Sequence, residues 1–117
     1  MGSPATIASR GIKKLQGLFA HDVKLYNIVC PGLAEYIEEQ VVKNIKCYIT
    51  FYNDQKAKNL IKKFLNKPVA EGVDVVGIAC THYSYLLPLM RELYPKVIFY
   101  DPAGAVVLQV KRMLQCI

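Results

Sequence analysis

The sequence predicts an α/β protein built on a parallel sheet of three to four strands with flanking helices. Three observations carry this. Short apolar runs alternate with amphipathic stretches, the order expected of repeating strand–helix units. The run 73–79, VDVVGIA, is almost wholly apolar, as a parallel strand covered on both faces is. Asp101-Pro102 follows directly on the apolar run 97–100, VIFY, a helix start set against a strand end.

Taken in order, residues 6–19 predict a helix, because Ile7, Ile12, Leu15, Leu18 and Phe19 can share a face. Residues 23–29, VKLYNIV, predict a strand. Pro31 suits the first turn of a helix over about 31–41, with Leu33, Tyr36 and Ile37 facing inward. The next stretch, NIKCYITFY, alternates as a strand does at Ile45, Cys47, Ile49 and Phe51, and is also compatible with a helix. Asn53 or Asp54 offers an N-cap for a helix carrying Ala57, Leu60, Ile61, Phe64 and Leu65, expected to end before Pro68. After the strand at 73–79, a helix is expected from about Leu87, its regular part starting close to Pro88. The strand 97–100 and a last helix through about Leu114 complete the chain. Neither internal repeats nor low-complexity tracts occur.

The 117 residues suffice for one small domain, and 53% hydrophobic with 21% charged residues is ordinary for a globular chain. No apolar run approaches the roughly 18 residues of a membrane span. Met1–Ser9 lacks the basic-then-apolar pattern of a secretory signal, so a cytoplasmic protein without membrane association is expected. Net charge is +6, with seven lysines and one acid, Asp54, between Lys43 and Lys67. Such a surface can attract nucleic acid. Without arginine clusters or stacking aromatics it is read here as a solvated helix face, and a nucleic-acid partner is not expected. Cys30, Cys47, Cys80 and Cys116 form no CxxC pair, and His21 and His82 lack a second ligand at zinc spacing. Neither a metal site nor a disulfide framework is expected.

The chemistry concentrates in Ala79-Cys80-Thr81-His82-Tyr83. Cys80 falls where a buried strand gives way to a helix, the end at which parallel sheets place ligands. There its thiol can face a cleft, and N–H groups at a helix start favour thiolate, the nucleophilic and basic form. Thr81 offers a hydroxyl and an N–H, and His82 is placed to tune the thiol or hold a substrate group. The competing reading is plain packing, since free Cys is among the most buried residue types. Spacing alone leaves both open.

The segment Gly77 to Tyr83, with Leu87 after it, resembles the GCTHY motif of glutamate racemases, members of the aspartate/glutamate racemase superfamily; Ala79 stands where the family commonly has Gly. Ser3-Pro4-Ala5-Thr6-Ile7-Ala8-Ser9 resembles the family's TxxTxxS stretch, with Ser3 for the first Thr. Cys30-Pro31-Gly32-Leu33 is similar to its CPxL segment, and Tyr100-Asp101-Pro102-Ala103 to its IDSA-like stretch. Four motifs in the family's order span nearly the whole chain; the region about 43–56 fits poorly.

The resemblance implies a cofactor-independent isomerase that interconverts L- and D-glutamate with two cysteines on opposite faces of the α-carbon, supplying D-glutamate for peptidoglycan. Carried over by position, Cys80 is one catalytic thiol, with His82 assisting it. Thr81, His82, Thr6 and Ser3 bind the substrate. The family's earlier domain, with its Asp-Ser pair and the CNT segment holding the other cysteine, has no counterpart here. The strand expected before Ser3 is likewise absent. The resemblance therefore implies one incomplete racemase-type domain. Residues 1–100 would be the second, C-terminal-half domain bearing Cys80, and 101–117 a terminal helix that would pack on the missing first domain. Glutamate is the expected small-molecule substrate, and a homodimer or a chain carrying the missing domain the expected protein partner. Alternatives are an aspartate racemase-like enzyme, against which His82 argues because those enzymes usually carry Glu there, or a non-catalytic amino-acid-binding remnant.

Overall fold

In a computed structural model, residues 1–19, 22–43, 51 and 54–116 are described. The chain forms helices α1 (Pro4–Ala8), α2 (Arg10–Phe19), α3 (Leu33–Lys43) and α4 (Gln55–Ala70), strand β1 (Val75–Gly77), a 3₁₀ helix (Thr81–Leu86), α5 (Leu87–Leu93), strand β2 (Ile98–Tyr100) and α6 (Ala103–Gln115). The α/β class holds. The sheet is narrower than expected: β1 and β2 pair in parallel, with Val76 opposite Phe99.

The expected strand at 23–29 is an extended segment with a single parallel bridge, Val29 to Gly2. A strand exists only where a neighbour takes its hydrogen bonds, and the neighbour here is two residues long. Gly2 donates to the Ile28 carbonyl (3.0 Å) and accepts from the Cys30 N–H (3.0 Å). On its other side the Met1 carbonyl accepts from the Ala79 N–H at 2.9 Å. This stub thus ties the Cys30 segment to the end of β1.

The helix expected over 6–19 is broken at Ser9. Its backbone is extended (φ −66°, ψ 148°), and its hydroxyl accepts the Ile12 N–H at 3.3 Å. Serine here competes for a helix-start amide rather than continuing the helix. Ile7 and Ile12 are half-buried, whereas Leu15 and Leu18 are 53% and 58% exposed.

Expected inward residues Leu33, Tyr36 and Ile37 of α3 are buried. Pro31 lies before the helix, in a turn completed by Gly32 at φ +78°, a left-handed conformation that glycine adopts without steric cost. Asp54 caps α4, its carboxylate accepting the Ala57 N–H at 3.1 Å. Ala57, Ile61 and Leu65, spaced by four, are fully buried along the helix. The helix runs past Pro68 to Ala70, because proline removes one N–H and the remaining turn closes from Glu71 onto the Lys67 carbonyl at 3.0 Å. The stretch 44–50, with Cys47, and residues 52 and 53, including the alternative cap Asn53, lie outside the described residues.

The core joins Leu33 and Ile37 of α3, Ile61 and Leu65 of α4, and Tyr83, Leu86, Leu89 and Met90 to Val76, Ile78 and Phe99 of the sheet. It covers one face of the sheet only. Val75 is 53% exposed, so β1 is not the doubly covered strand its apolar run suggested. Pro88 falls in the first turn of α5, as expected. Asp101 accepts the Ala103 N–H at 3.0 Å, capping α6 from one residue before Pro102. Among the described residues no helix is long and apolar enough to cross a membrane.

Candidate functional site

Parallel pairing carries several chain segments to one edge. Ser3 follows the Met1–Gly2 stub, Cys30 follows Val29, Cys80 follows the end of β1 and Asp101 follows β2. This is the carboxyl edge of the sheet, where open α/β folds bind ligands.

Cys80 is half-buried, with its Sγ 3.8 Å from Nδ1 of His82, itself half-buried. Depending on the ring tautomer, the thiol donates to Nδ1 or the ring N–H donates to a thiolate. The backbone N–H support expected from a following α-helix is replaced. A 3₁₀ helix follows Cys80, the Cys80 carbonyl accepts the Tyr83 N–H (3.1 Å), and no N–H bonds to the sulfur as a cap. The partner of this thiol is the imidazole two residues on.

Thr81 is exposed beside the thiol, free to meet a ligand from solvent. Ser3 and Thr6 are half-buried. Their hydroxyls bond to each other at 2.9 Å, and Ser3 also caps α1 by accepting the Thr6 N–H at 3.3 Å. The five residues thus divide into a Cys80–Thr81–His82 group and a Ser3–Thr6 pair, which adjacent backbone hydrogen bonds carry to one edge.

One residue of this edge escaped sequence reasoning, and another was named only as part of a motif. Ser84 donates to the Asp101 carboxylate at 2.7 Å, linking the 3₁₀ helix to the end of β2. The Ala103 N–H, and then the Ser84 hydroxyl, hold that carboxyl below its usual pKa. Tyr83 is fully buried, and its hydroxyl donates to the Cys30 carbonyl at 3.4 Å. Asp101 was legible as a cap; its link to Ser84 depends on a fold-back that no local pattern encodes.

The other thiols differ in kind. Cys30 is 1% exposed and its Sγ points to the Ile28 carbonyl at 3.8 Å. Burial pushes its pKa from 9.0 up to about 11, partly offset by the N-terminal ammonium and the Tyr83 hydroxyl. Cys116 is exposed at the end of α6. Among the described residues no group of three or more His, Cys, Asp or Glu is arranged to hold a metal ion. A hollow of about 470 Å³ lies between the 23–28 segment and residues 71–79, but its lining includes none of Ser3, Thr6, Cys80, Thr81 or His82. The thiol therefore opens at the sheet edge, not into that hollow.

The Cys30 shift carries a pH prediction. An acid whose native pKa is raised holds its proton where the unfolded chain has lost it, so its contribution is complete below pH 9 and fades as pH climbs toward 11. At about 1.4 kcal/mol per pH unit the loss is on the order of 2 kcal/mol. Tyr83, whose pKa burial also raises, steepens the decline above pH 10. Urea unfolding at pH 8 and pH 10.5 checks this, and Cys30→Ala should flatten the early part of the fall. Equal stability at both pH values contradicts it.

Comparison with known proteins gives a consistent likeness. The chain is 30% identical over 115 residues to the glutamate racemase of Ectopseudomonas mendocina (strain ymp), an alignment covering 97% of this chain and 40% of that protein. It is 30% identical to the glutamate racemase of Pseudomonas aeruginosa PAO1, again over 97% of this chain and 40% of that protein. The glutamate racemase of Herpetosiphon aurantiacus is 27% identical, covered to 41% of its length. The chain spans about two fifths of the length of the curated relatives it matches. No family model matches the chain, and no solved structure matches it.

Proposed function

From the similarity of 97% of this chain to part of glutamate racemases, we infer that it supplies one of the two proton carriers of such an enzyme, Cys80. The observation that carries this is the half-buried Cys80 thiol at the carboxyl end of β1, 3.8 Å from the His82 ring. In the proposed step the Cys80 thiolate takes the α-proton of glutamate, so that the Cα–H bond breaks and an S–H bond forms. A proton delivered from the opposite side then completes the other enantiomer. His82 holds the thiolate before the transfer and the thiol proton after it. Thr81 and the Ser3–Thr6 hydroxyls bind the substrate's polar groups. The steps use no cofactor, and the product fits a cytoplasmic supply of D-glutamate for peptidoglycan.

Inversion needs a carrier on each face, because one group that takes and returns a proton restores the original hand. The Cys30 thiol, buried against a carbonyl with a raised pKa, is poorly suited to the second role, and Cys116 lies at the far end of α6. Among the described residues no other cysteine suits that role, and because the relatives extend well beyond the part aligned with this chain, the second carrier is assigned to a racemase portion outside it. Alone, the chain should interconvert glutamate enantiomers far below enzyme rates. Per-cysteine alkylation followed by mass spectrometry tests the site. Cys80 should label fast, Cys30 slowly, and glutamate should protect Cys80 at least fivefold while leaving Cys116 unchanged. Labelling of Cys80 that neither enantiomer alters overturns the proposed site, and racemisation at ordinary enzyme rates by the purified chain overturns the single-carrier assignment.

A further inference from the structure

The hollow of about 470 Å³ has two rims, the extended 23–28 segment and the run 71–79. The Met1–Gly2 stub closes its carboxyl end and sets its width. Met1 bonds to one rim, donating to the Gly77 carbonyl at 3.1 Å and accepting from the Ala79 N–H at 2.9 Å. Gly2 bonds to the other, donating to the Ile28 carbonyl and accepting from the Cys30 N–H, both at 3.0 Å. The rims beside the stub are therefore two strand spacings apart, roughly 10 Å, which leaves room for one strand between them.

The rims also carry the groups a strand needs. Alternate residues of a strand turn their peptide groups to opposite neighbours. In β1 the Asp74 carbonyl and the Ile78 N–H bond to β2, so Val75 and Gly77 turn theirs to the hollow. Met1 takes the Gly77 carbonyl. The Val75 N–H and carbonyl and the Gly77 N–H have no partner among the described residues. Across the gap, the Ile28 carbonyl faces the stub, so the Ile28 N–H, both peptide groups of Tyr26 and the Lys24 carbonyl face the hollow. They too have no partner among the described residues. Two facing rows of unpaired peptide groups are a template for a further strand.

Continuing the stub's register toward the amino end of β1 sets one position between Tyr26 and Val76 and the next between Leu25 and Val75. The first points into the core, where Val76 is buried and Tyr26 packs. The second points to the opposite face, on which Gly2 lies against Ile7, and it covers Val75 and Leu25, 53% and 49% exposed. Beyond them Lys24 and Asp74 flank the path with opposite charges, so an uncharged segment fits. A second copy has no strand to offer among its described residues, because its own free extended stretch, 23–28, is itself a rim. We propose that the hollow is a strand-binding site, taking an extended segment of another polypeptide that runs parallel to β1 and is apolar at its two central residues. Backbone pairing supplies the affinity in such a site, and alternate side chains supply the selectivity. Filling it turns the β1–β2 pair and the 23–29 segment into one four-stranded parallel sheet. The proposal is independent of the racemase reading, since it uses neither Cys80 nor His82.

Amide hydrogen exchange read by NMR on the 117-residue chain tests this, with the acetylated, amidated peptide Thr-Val-Val-Thr as the probe at millimolar concentration. Without peptide, the N–H groups of Tyr26, Ile28, Val75 and Gly77 should exchange at least tenfold faster than those of Cys30 and Ile78, which are bonded. With peptide, those four should slow at least tenfold, and the same peptide with proline for its second valine should leave them unchanged. Val75→Pro removes a donor that faces the hollow and not β2, at the first residue of the strand, where proline is tolerated. It should weaken peptide binding about tenfold with an unchanged circular dichroism spectrum. N-methylation of the peptide's two valines reads the same bonds with the protein unaltered and should also weaken binding at least tenfold. Exchange at the four sites that the peptide does not slow overturns the proposal, as does binding that survives N-methylation. Protection already present without peptide also overturns it: growing with protein concentration, it assigns the hollow to a second copy, and independent of concentration, to the chain's own residues.

Discussion

Cys80→Ala is expected to lower solvent exchange of the glutamate α-proton by roughly a hundred- to ten-thousand-fold, the usual contribution of a positioned acid–base group. The measurement is proton NMR of each glutamate enantiomer in deuterium oxide. A lone thiolate on one face can remove a proton and return a deuteron to the same face, so exchange by this chain should proceed with retention, and for one enantiomer only. Joined to a racemase portion that supplies the opposite carrier, the same substitution should abolish inversion in both directions. His82→Asn tests the imidazole separately. If the ring steadies the thiolate across 3.8 Å, its loss should cost less than loss of the sulfur and should shift the pH dependence of exchange. Exchange that is unchanged in Cys80→Ala, or absent for both enantiomers with the unaltered chain, removes Cys80 from the chemistry.

How much of this was legible in the sequence depends on the range of the interaction concerned. Local signals held. The Asp54 cap, the Ala57–Ile61–Leu65 stripe, the strand at 98–100 and the inward set Leu33, Tyr36 and Ile37 all stand in the structure, because caps and periodicity act within a turn or two. Features that depend on partners far along the chain did not. Residues 23–29 have strand-like composition, yet only Val29 finds a bridge. The apolar run around Val75 suggested cover on both sides, and the structure covers one. Ser9 shows a third case, in which a hydroxyl with two local options ended a helix that periodicity alone would have continued. At the candidate site, the position of Cys80 after a strand and before a helical turn was readable. His82 was named beside it as a group to tune the thiol, whereas its 3.8 Å approach, the mutual bond of Ser3 and Thr6, and the Ser84–Asp101 link are properties of the folded edge.

Tyr83→Ala should be the most damaging single truncation near the site. The ring is wholly buried and the 3₁₀ helix that carries it packs against α3, and removing a buried aromatic costs about 3–5 kcal/mol through lost transfer energy and the cavity left behind. Against the roughly 5–15 kcal/mol that holds a typical domain together, that loss leaves a substantial unfolded population in a chain this small. Tyr83→Phe separates packing from the hydroxyl. It keeps the ring and gives up only the long bond to the Cys30 carbonyl, 3.4 Å, so about 0.5–1 kcal/mol is expected. Urea unfolding monitored by circular dichroism reads both, and a Tyr83→Ala midpoint close to that of the unaltered chain refutes the assigned role. The consequence reaches the thiol, because Tyr83 anchors the 3₁₀ turn that begins beside Cys80 and carries His82. With the anchor gone, the 3.8 Å Cys80–His82 approach loses its support, and the protection of Cys80 from alkylation by glutamate should disappear in Tyr83→Ala while persisting in Tyr83→Phe. Protection that survives the alanine variant in its folded fraction would mean that the sulfur and the imidazole are held by the end of β1 alone.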